Sequence, residues 1–242
     1  MDTVRIDRKN VKIIAHRGLS GIERENTCAA FVAAANRSYF GVETDVRKTA
    51  DGKLALMHDD NIGRVSGNKY DLKVAENNFS TLHSVALPDL DGTGERTDLR
   101  IPLLSDYVNI CKKYDKICVL EIKQCFADEE LKEIVDEIEA LDYIKNTIFI
   151  SFSLDYCVTI RRMLPTVRIQ WLADREATPE IINTLVLNHI DLDVYYPKLT
   201  EELVKEIHSL GLEVNCWTCD KADDAQKLIK MGVDYITTNI LE

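Results

Sequence analysis

Proline and glycine are scarce, 5 and 10 of 242 residues. No Pro/Gly/Ser-rich linker, internal repeat or low-complexity tract divides the chain, so a single domain over residues 1–242 is expected. No apolar run approaches the roughly 20 residues of a membrane-spanning helix. The first residues, Met1 to Asp7, lack the apolar core of a signal peptide. The expected localisation is therefore cytoplasmic, with no stable membrane association. A basic excess is also missing: 30 Lys and Arg stand against 41 Asp and Glu, a net charge of −11. That counts against a nucleic-acid partner, because binding a polyanion needs positive surface. It leaves room for a small anionic substrate, since local cations and a bound divalent ion can reverse the sign inside a pocket. The cysteines are odd in number, seven, and Cys28, Cys111, Cys118 and Cys157 sit in apolar stretches. Reduced cytosolic chains use cysteine this way, as a small hydrophobe.

What is present is alternation. Apolar, strand-like runs fall at 11–15, 41–44, 117–122, 147–152, 167–172, 190–194, 213–217 and 234–238. Amphipathic helical patterns lie between most of them, at 27–37, 129–141, 154–163, 179–187, 200–210 and 221–231. Eight strands buried on both faces and separated by helices point to a (β/α)8 TIM barrel, with a doubly wound open sheet as the alternative. One segment breaks the rhythm. Residues 46–57 form a hairpin pattern with Asp51-Gly52 as its turn, which would return His58 beside Asp45. Residues 59–102 follow as a largely polar, inserted cap segment, long enough for a lid.

In a barrel, side chains at the C-terminal strand ends converge on one mouth. His16 follows strand one, Glu43 and Asp45 end strand two, and Glu121 and Lys123 end strand three. Trp217 ends strand seven. Glu43 and Asp45 are two apart and point the same way, as do Glu121 and Lys123. Three converging carboxylates repel unless they share a hard cation, which implies an Mg2+ or Ca2+ site. His16 and His58 are candidate acid and base because imidazole titrates near neutrality. Arg17 and Lys123 supply positive charge for phosphate oxygens, so metal-assisted phosphodiester chemistry fits the inventory. Competing readings are bland or different. The carboxylates could be surface ion pairs, and Lys123 could be a Schiff-base lysine, although its neighbours suit a phosphate clamp better. His83, His189 and His208 carry no such pattern. Asn26 and Thr27 are both candidate caps for the helix that follows, with a second role for Asn26 and Thr27 in orienting His16. Ser153 is a cap or a pocket residue, as no Gly-x-Ser-x-Gly elbow supports a serine nucleophile. Cys216-Trp217-Thr218-Cys219 is a C-x-x-C without a second one or a histidine partner, so a redox or zinc role is disfavoured.

Nine short motifs occur in the order and spacing of one enzyme family. They are His16-Arg17-Gly18, Glu25-Asn26-Thr27, Glu43-Thr44-Asp45-Val46, Asp51-Gly52, His58-Asp59, Ile101-Pro102, Glu121-Ile122-Lys123, Trp217-Thr218 and Gly232-Val233-Asp234. Across nearly its whole length the chain resembles the glycerophosphodiester phosphodiesterases. That resemblance implies a (β/α)8 barrel with a small inserted subdomain and metal-dependent hydrolysis of a small-molecule glycerophosphodiester to glycerol 3-phosphate and an alcohol. By the same resemblance His16 and His58 are the acid/base pair, and Glu43, Asp45 and Glu121 the metal ligands. Arg17 and Lys123 hold the phosphate, and Trp217 lines the alcohol pocket. Two positions depart from the family pattern: Arg24 stands where a proline is usual, and Asn239 where an aspartate is common. Lyase or phospholipase D-type cleavage of lysophospholipid or sphingolipid head groups is an alternative, as is a barrel that binds a phosphorylated ligand without turnover.

Overall fold

Eight parallel strands close into a barrel in the computed structural model, which describes residues 2–123, 126–175 and 177–242. In chain order they are β1 (Lys12–Ala15), β2 (Gly41–Lys48), β3 (Ile117–Ile122), β4 (Thr147–Ser151), β5 (Arg168–Ala173), β6 (Asp191–Tyr195), β7 (Val214–Trp217) and β8 (Tyr235–Thr238). Each pairs with its sequence neighbours, and β1 pairs with both β2 and β8 to complete the circuit. The open doubly wound sheet is thereby excluded.

Helices α1 (Cys28–Ala35), α2 (Leu104–Lys113), α3 (Asp128–Ala140), α4 (Leu154–Met163), α5 (Pro179–Asn188), α6 (Glu201–Ser209) and α7 (Ala222–Met231) surround it. Four of their starts are set by side-chain caps. Thr27, Ser153, Thr178 and Thr200 each accept a hydrogen bond from the backbone N–H three residues on. Helix α2 was not expected from the periodicity, although Leu104, Tyr107, Val108 and Cys111 form a buried stripe at helical spacing. Tyr107 locks α2 to the barrel: its hydroxyl donates to Val42 O at 2.6 Å and accepts from Val119 N at 2.8 Å.

Two features position the site. Strand β2 runs four residues past its expected end because it continues into a hairpin arm, pairing antiparallel with Leu54–Leu56. Gly52 makes the turn at φ +75°. The returning chain is fastened where Met57 N donates to Asp45 O at 2.9 Å, which sets His58 at the mouth. The inserted segment is more apolar inside than its sequence suggests. Ile62, Val65, Val74, Leu82, Val85, Leu87, Leu99 and Ile101 pack with Ala55 and Met57 of the hairpin as a satellite core. These residues come from loops, a short helix (Phe79–Ser84) and a two-stranded ribbon, so no single period reveals them. Arg24 ties this unit to the loop after β1 by donating to Pro88 O at 2.9 Å and to Asp89 O. The position that departs from the family pattern thus has a structural use.

Candidate active site

The carboxylates come together by strand register. Asp45 of β2 pairs directly with Glu121 of β3, and Glu43 lies two residues earlier on the same face. One oxygen from each lies within 4.8 Å of the others, and all three residues are buried. Glu43 Oε1, Asp45 Oδ1 and Glu121 Oε1 have no hydrogen-bond partner among the described residues. Lys123 Nζ is near, 2.8 Å from Glu121 Oε1 and 3.5 Å from Asp45 Oδ1, as ion pairs rather than directed hydrogen bonds. Burial first, then the charge of Asp45, pushes the Glu121 carboxyl up to about 8 and Glu43 well above the ordinary range. Burial also opposes the Asp45 charge, but Lys123 and Arg17 outweigh it and hold that carboxyl at about 2. Unpartnered carboxylate oxygens at one buried point are the donor set that a hard divalent cation takes. The residues fit the ion expected from the sequence.

Both histidines present the same ring nitrogen to the pocket. His16 Nδ1 lies 2.8 Å from Asn239 Oδ1. The amide orientation is fixed independently, because Ser20 Oγ donates to the same oxygen at 2.6 Å and Asn239 Nδ2 donates to Asp220 at 2.6 Å. An amide oxygen only accepts, so Nδ1 carries the proton and Nε2 offers a lone pair, 4.0 Å from Glu43 Oε2. Burial, followed by the Arg17 charge, lowers the His16 ring to about 4. His58 Nδ1 donates to Asp59 Oδ1 at 2.7 Å, which frees its Nε2. Burial lowers His58 too, against the pull of Asp45. Removing the amide in Asn239→Ala is expected to lower kcat by about 10- to 100-fold through loss of the tautomer lock, with the fold intact. A steady-state assay beside a thermal melt checks this, and unchanged kcat counts against it.

The loop after β1 carries the cationic side. Arg17 and Asn26 adopt positive φ, and Gly18 at φ +76° passes so close to α1 that a Cβ would lie 2.7 Å from Ala30. Arg17 N donates to Glu43 Oε2 at 2.7 Å, and its Nη1 to Glu25 at 2.8 Å. Its Nε is buried without a hydrogen-bond partner among the described residues, 3.7 Å from Asp45. Asn26 is not a cap. Its Nδ2 donates to Asp45 Oδ2 at 2.8 Å and its Oδ1 accepts from Thr44 at 2.7 Å, so it orients a carboxylate rather than His16. Thr27 alone supplies the cap.

Arg64 has no sequence signal beyond its charge. Its Nε donates to Asp59 at 2.7 Å, and its Nη atoms to both Glu25 oxygens at 2.8 Å. A continuous chain, His58–Asp59–Arg64–Glu25–Arg17, therefore joins one imidazole to the Arg17 guanidinium.

His16, Arg17, Glu43, His58, Glu121, Lys123 and Trp217 line one cavity of about 120 Å³, with Asp45 behind them. Its far wall is apolar: Ile150, Phe152, Leu172 and Trp217. Phe152 meets Trp217 edge-on at 5.6 Å, and Tyr195 lies 5.4 Å from the indole. A larger groove of about 600 Å³ between α5 and α6 holds none of these groups. Ser153 is the cap of α4, Oγ accepting from Tyr156 N at 3.3 Å. Cys216 and Cys219 are buried and free, line no part of the cavity, and burial pushes Cys219 up to about 11.

Fold and site define a (β/α)8 barrel enzyme whose mouth sets a carboxylate cluster, two imidazoles and two cations around one small pocket. The glycerophosphoryl diester phosphodiesterase family model matches residues 16–242. The chain belongs to that family. A glycerophosphodiester phosphodiesterase of Caldanaerobacter subterraneus subsp. tengcongensis is 29% identical over 232 residues, covering 94% of this chain and 93% of that one. The crystal structure of a glycerophosphodiester phosphodiesterase from Thermotoga maritima superposes with a TM-score of 0.78 at 26% identity, covering 95% and 94%. An Oleispira antarctica phosphodiesterase, solved with its product sn-glycerol-3-phosphate, shares the fold with a TM-score of 0.84 at 22% identity, covering 94% and 92%.

Proposed function

We propose that this site carries out the family's reaction, metal-dependent hydrolysis of a glycerophosphodiester to glycerol 3-phosphate and an alcohol, with His16 as base and His58 as acid. The observation that carries it is the convergence, at one cavity, of three carboxylates that each keep an oxygen without a hydrogen bond, two imidazole rings and two cations. Glu43, Asp45 and Glu121 would hold Mg2+ or Ca2+, which supplies Lewis acidity that draws charge from the phosphoryl oxygens. Arg17 Nε and Lys123 Nζ neutralise the same oxygens from the protein side. His16, kept neutral by burial beside Arg17 and paired only with an amide, takes the proton from the attacking hydroxyl at Nε2. His58, whose Nδ1–H is held by the Asp59 carboxylate, gives a proton from Nε2 to the leaving alkoxide. The attacker is water or the substrate's neighbouring glycerol hydroxyl. Trp217 and Phe152 form the wall against which the alcohol lies. The inserted segment acts as a buttress, through Arg64, rather than as a cover: the central cavity takes no lining from residues 59–102, and only Asp59 and Asp60 line the groove that adjoins it at His58.

Six described cysteines are free and mostly buried, which supports a reducing, cytoplasmic setting. No helix among the described residues is long and apolar enough to cross a membrane. The test is release of glycerol 3-phosphate from choline, ethanolamine, glycerol and inositol glycerophosphodiesters with Mg2+, Ca2+ or EDTA. Release with a cation and none with EDTA is expected. No release from any of them, with turnover of lysophospholipids instead, moves the activity to a head-group lyase or phospholipase D.

A further inference from the structure

The barrel interior is unevenly polar. Ile14, Val119, Ile148, Ile150 and Leu172 fill it as an apolar cluster. Beside this cluster, β5 to β8 carry Gln170, Asp193, Asn215 and Thr237, all buried. Asn215 is saturated. Its Nδ2 donates one hydrogen to Gln170 Oε1 at 2.9 Å and the other to Asp193 Oδ2 at 3.1 Å. Its Oδ1 accepts from Cys216 N at 2.8 Å and from Thr237 Oγ1 at 3.4 Å. The two ends of this network are unfinished, because Gln170 Nε2 and Asp193 Oδ1 have no partner among the described residues. A network that only held strands together would close on itself, since an unpaired polar atom in a dry core is destabilising.

Asp193 is where the network meets the cavity. It lines the same pocket as His16, Lys123 and Trp217, and it is 1% exposed. Trp217 Nε1 donates to its backbone oxygen at 3.3 Å, which ties the indole wall to the strand residue that carries this carboxyl. We propose that Asp193, positioned by Asn215 and Gln170, is a specificity residue that reads a free hydroxyl on the polyol part of the substrate. This rests on the proposed hydrolase function and deepens it. A carboxyl side chain disfavours the anionic phosphate, which belongs beside Arg17 and Lys123. The neutral, hydroxylated end is what remains for the β5–β7 side. Asp193 Oδ1, which the network leaves without a partner among the described residues, is an acceptor for the O–H of such a hydroxyl.

The test compares glycerophosphocholine with bis(p-nitrophenyl) phosphate, a diester without an aliphatic hydroxyl, in the wild type, Asp193→Leu, Asp193→Asn and Gln170→Leu, all with Mg2+. Asp193→Leu is expected to lower kcat/KM for glycerophosphocholine by about 10- to 100-fold and to change the aryl diester by less than about threefold. Asp193→Asn, which keeps the shape and a hydrogen-bonding capacity, is expected to retain most of the preference. Gln170→Leu, which removes the brace on Asn215, is expected to follow Asp193→Leu more weakly and gives the same readout should the latter fail to fold. Equal losses on both substrates make the network structural and overturn the proposal. So does no loss on either, which leaves the socket to water. Wild-type turnover of the aryl diester alone overturns the substrate assignment itself, a pattern distinct from any of the variant effects.

Discussion

Alanine at His16 or His58 is expected to lower kcat by about 10² to 10⁴, the range that one positioned acid or base contributes. Melting temperature should barely change, because each ring is bound through a single Nδ1 contact at the mouth and neither belongs to the core clusters. The two losses should differ in their pH dependence. His16 faces a neutral amide and Arg17, so its imidazolium is disfavoured, and its protonation at about 4 sets the acid limb in the free enzyme. His58 faces the Asp59 carboxylate, and Asp59→Asn is expected to remove part of the support for its imidazolium and narrow the alkaline side. A substrate with an aryl leaving group, which needs little protonation, should lose much less in His58→Ala than in His16→Ala. Equal losses on alkyl and aryl diesters would reverse or abolish the division of roles. Retained activity in either alanine variant removes that histidine from the chemistry.

The parts of the fold that were legible in the sequence are those with a period. The eight strands are short, mainly apolar runs, and their bounds hold to within a few residues because burial on both faces keeps most of their positions apolar. The helices with a polar outer face and a threonine or serine cap were equally plain. Helix α2 went unread although its stripe of Leu104, Tyr107, Val108 and Cys111 is regular, because it follows directly on a segment without a period. That segment hides its own small core, since the apolar residues of residues 59–102 meet through loops and share no repeat. The site shows the same division. The strand-end carboxylates were visible through the two-residue spacing that puts side chains on one face. What positions them was not. Arg64 reaches Glu25 across 39 residues, Asn239 reaches His16 across 223, and Asn215 reaches Gln170 across 45. Each is an ordinary polar residue in sequence, and only the closure of the barrel gives it a partner.

Removing the divalent cation is expected to abolish turnover and to make the protein less stable as pH rises from 6.5 to 8. The sign follows from proton counts. In the cation-free fold Glu43 and Glu121 keep protons that the unfolded chain has lost above 4.5, with Glu121 titrating at about 8. The fold therefore binds more protons than the unfolded chain, and unfolding free energy falls with rising pH, by up to about 1.4 kcal/mol per pH unit for each proton. His16, lowered to about 4, has the opposite sign: its contribution is lost as pH falls from 6.5 towards 4, which offsets one carboxyl in that range. Asp45, held at about 2, matters only in strong acid, where its contribution is lost below 3.8. Above 6.5 the raised carboxyls dominate, with Asp193 beside the two glutamates. Millimolar Mg2+ or Ca2+ should remove the part of the decline that belongs to Glu43 and Glu121, because the charged carboxylates are the ligands and binding releases their protons. The cation-induced rise in melting temperature is thus expected to be small at pH 6 and larger at pH 8. Glu121→Gln, close in shape and neutral, should melt higher than the wild type in EDTA at pH 8, flatten the pH dependence, and lose activity by about 10³-fold or more. Melting curves in EDTA and in each cation, at pH 6 and pH 8, decide it. A flat EDTA profile, together with an equal cation effect at both pH values, would mean that these three carboxylates do not share an ion.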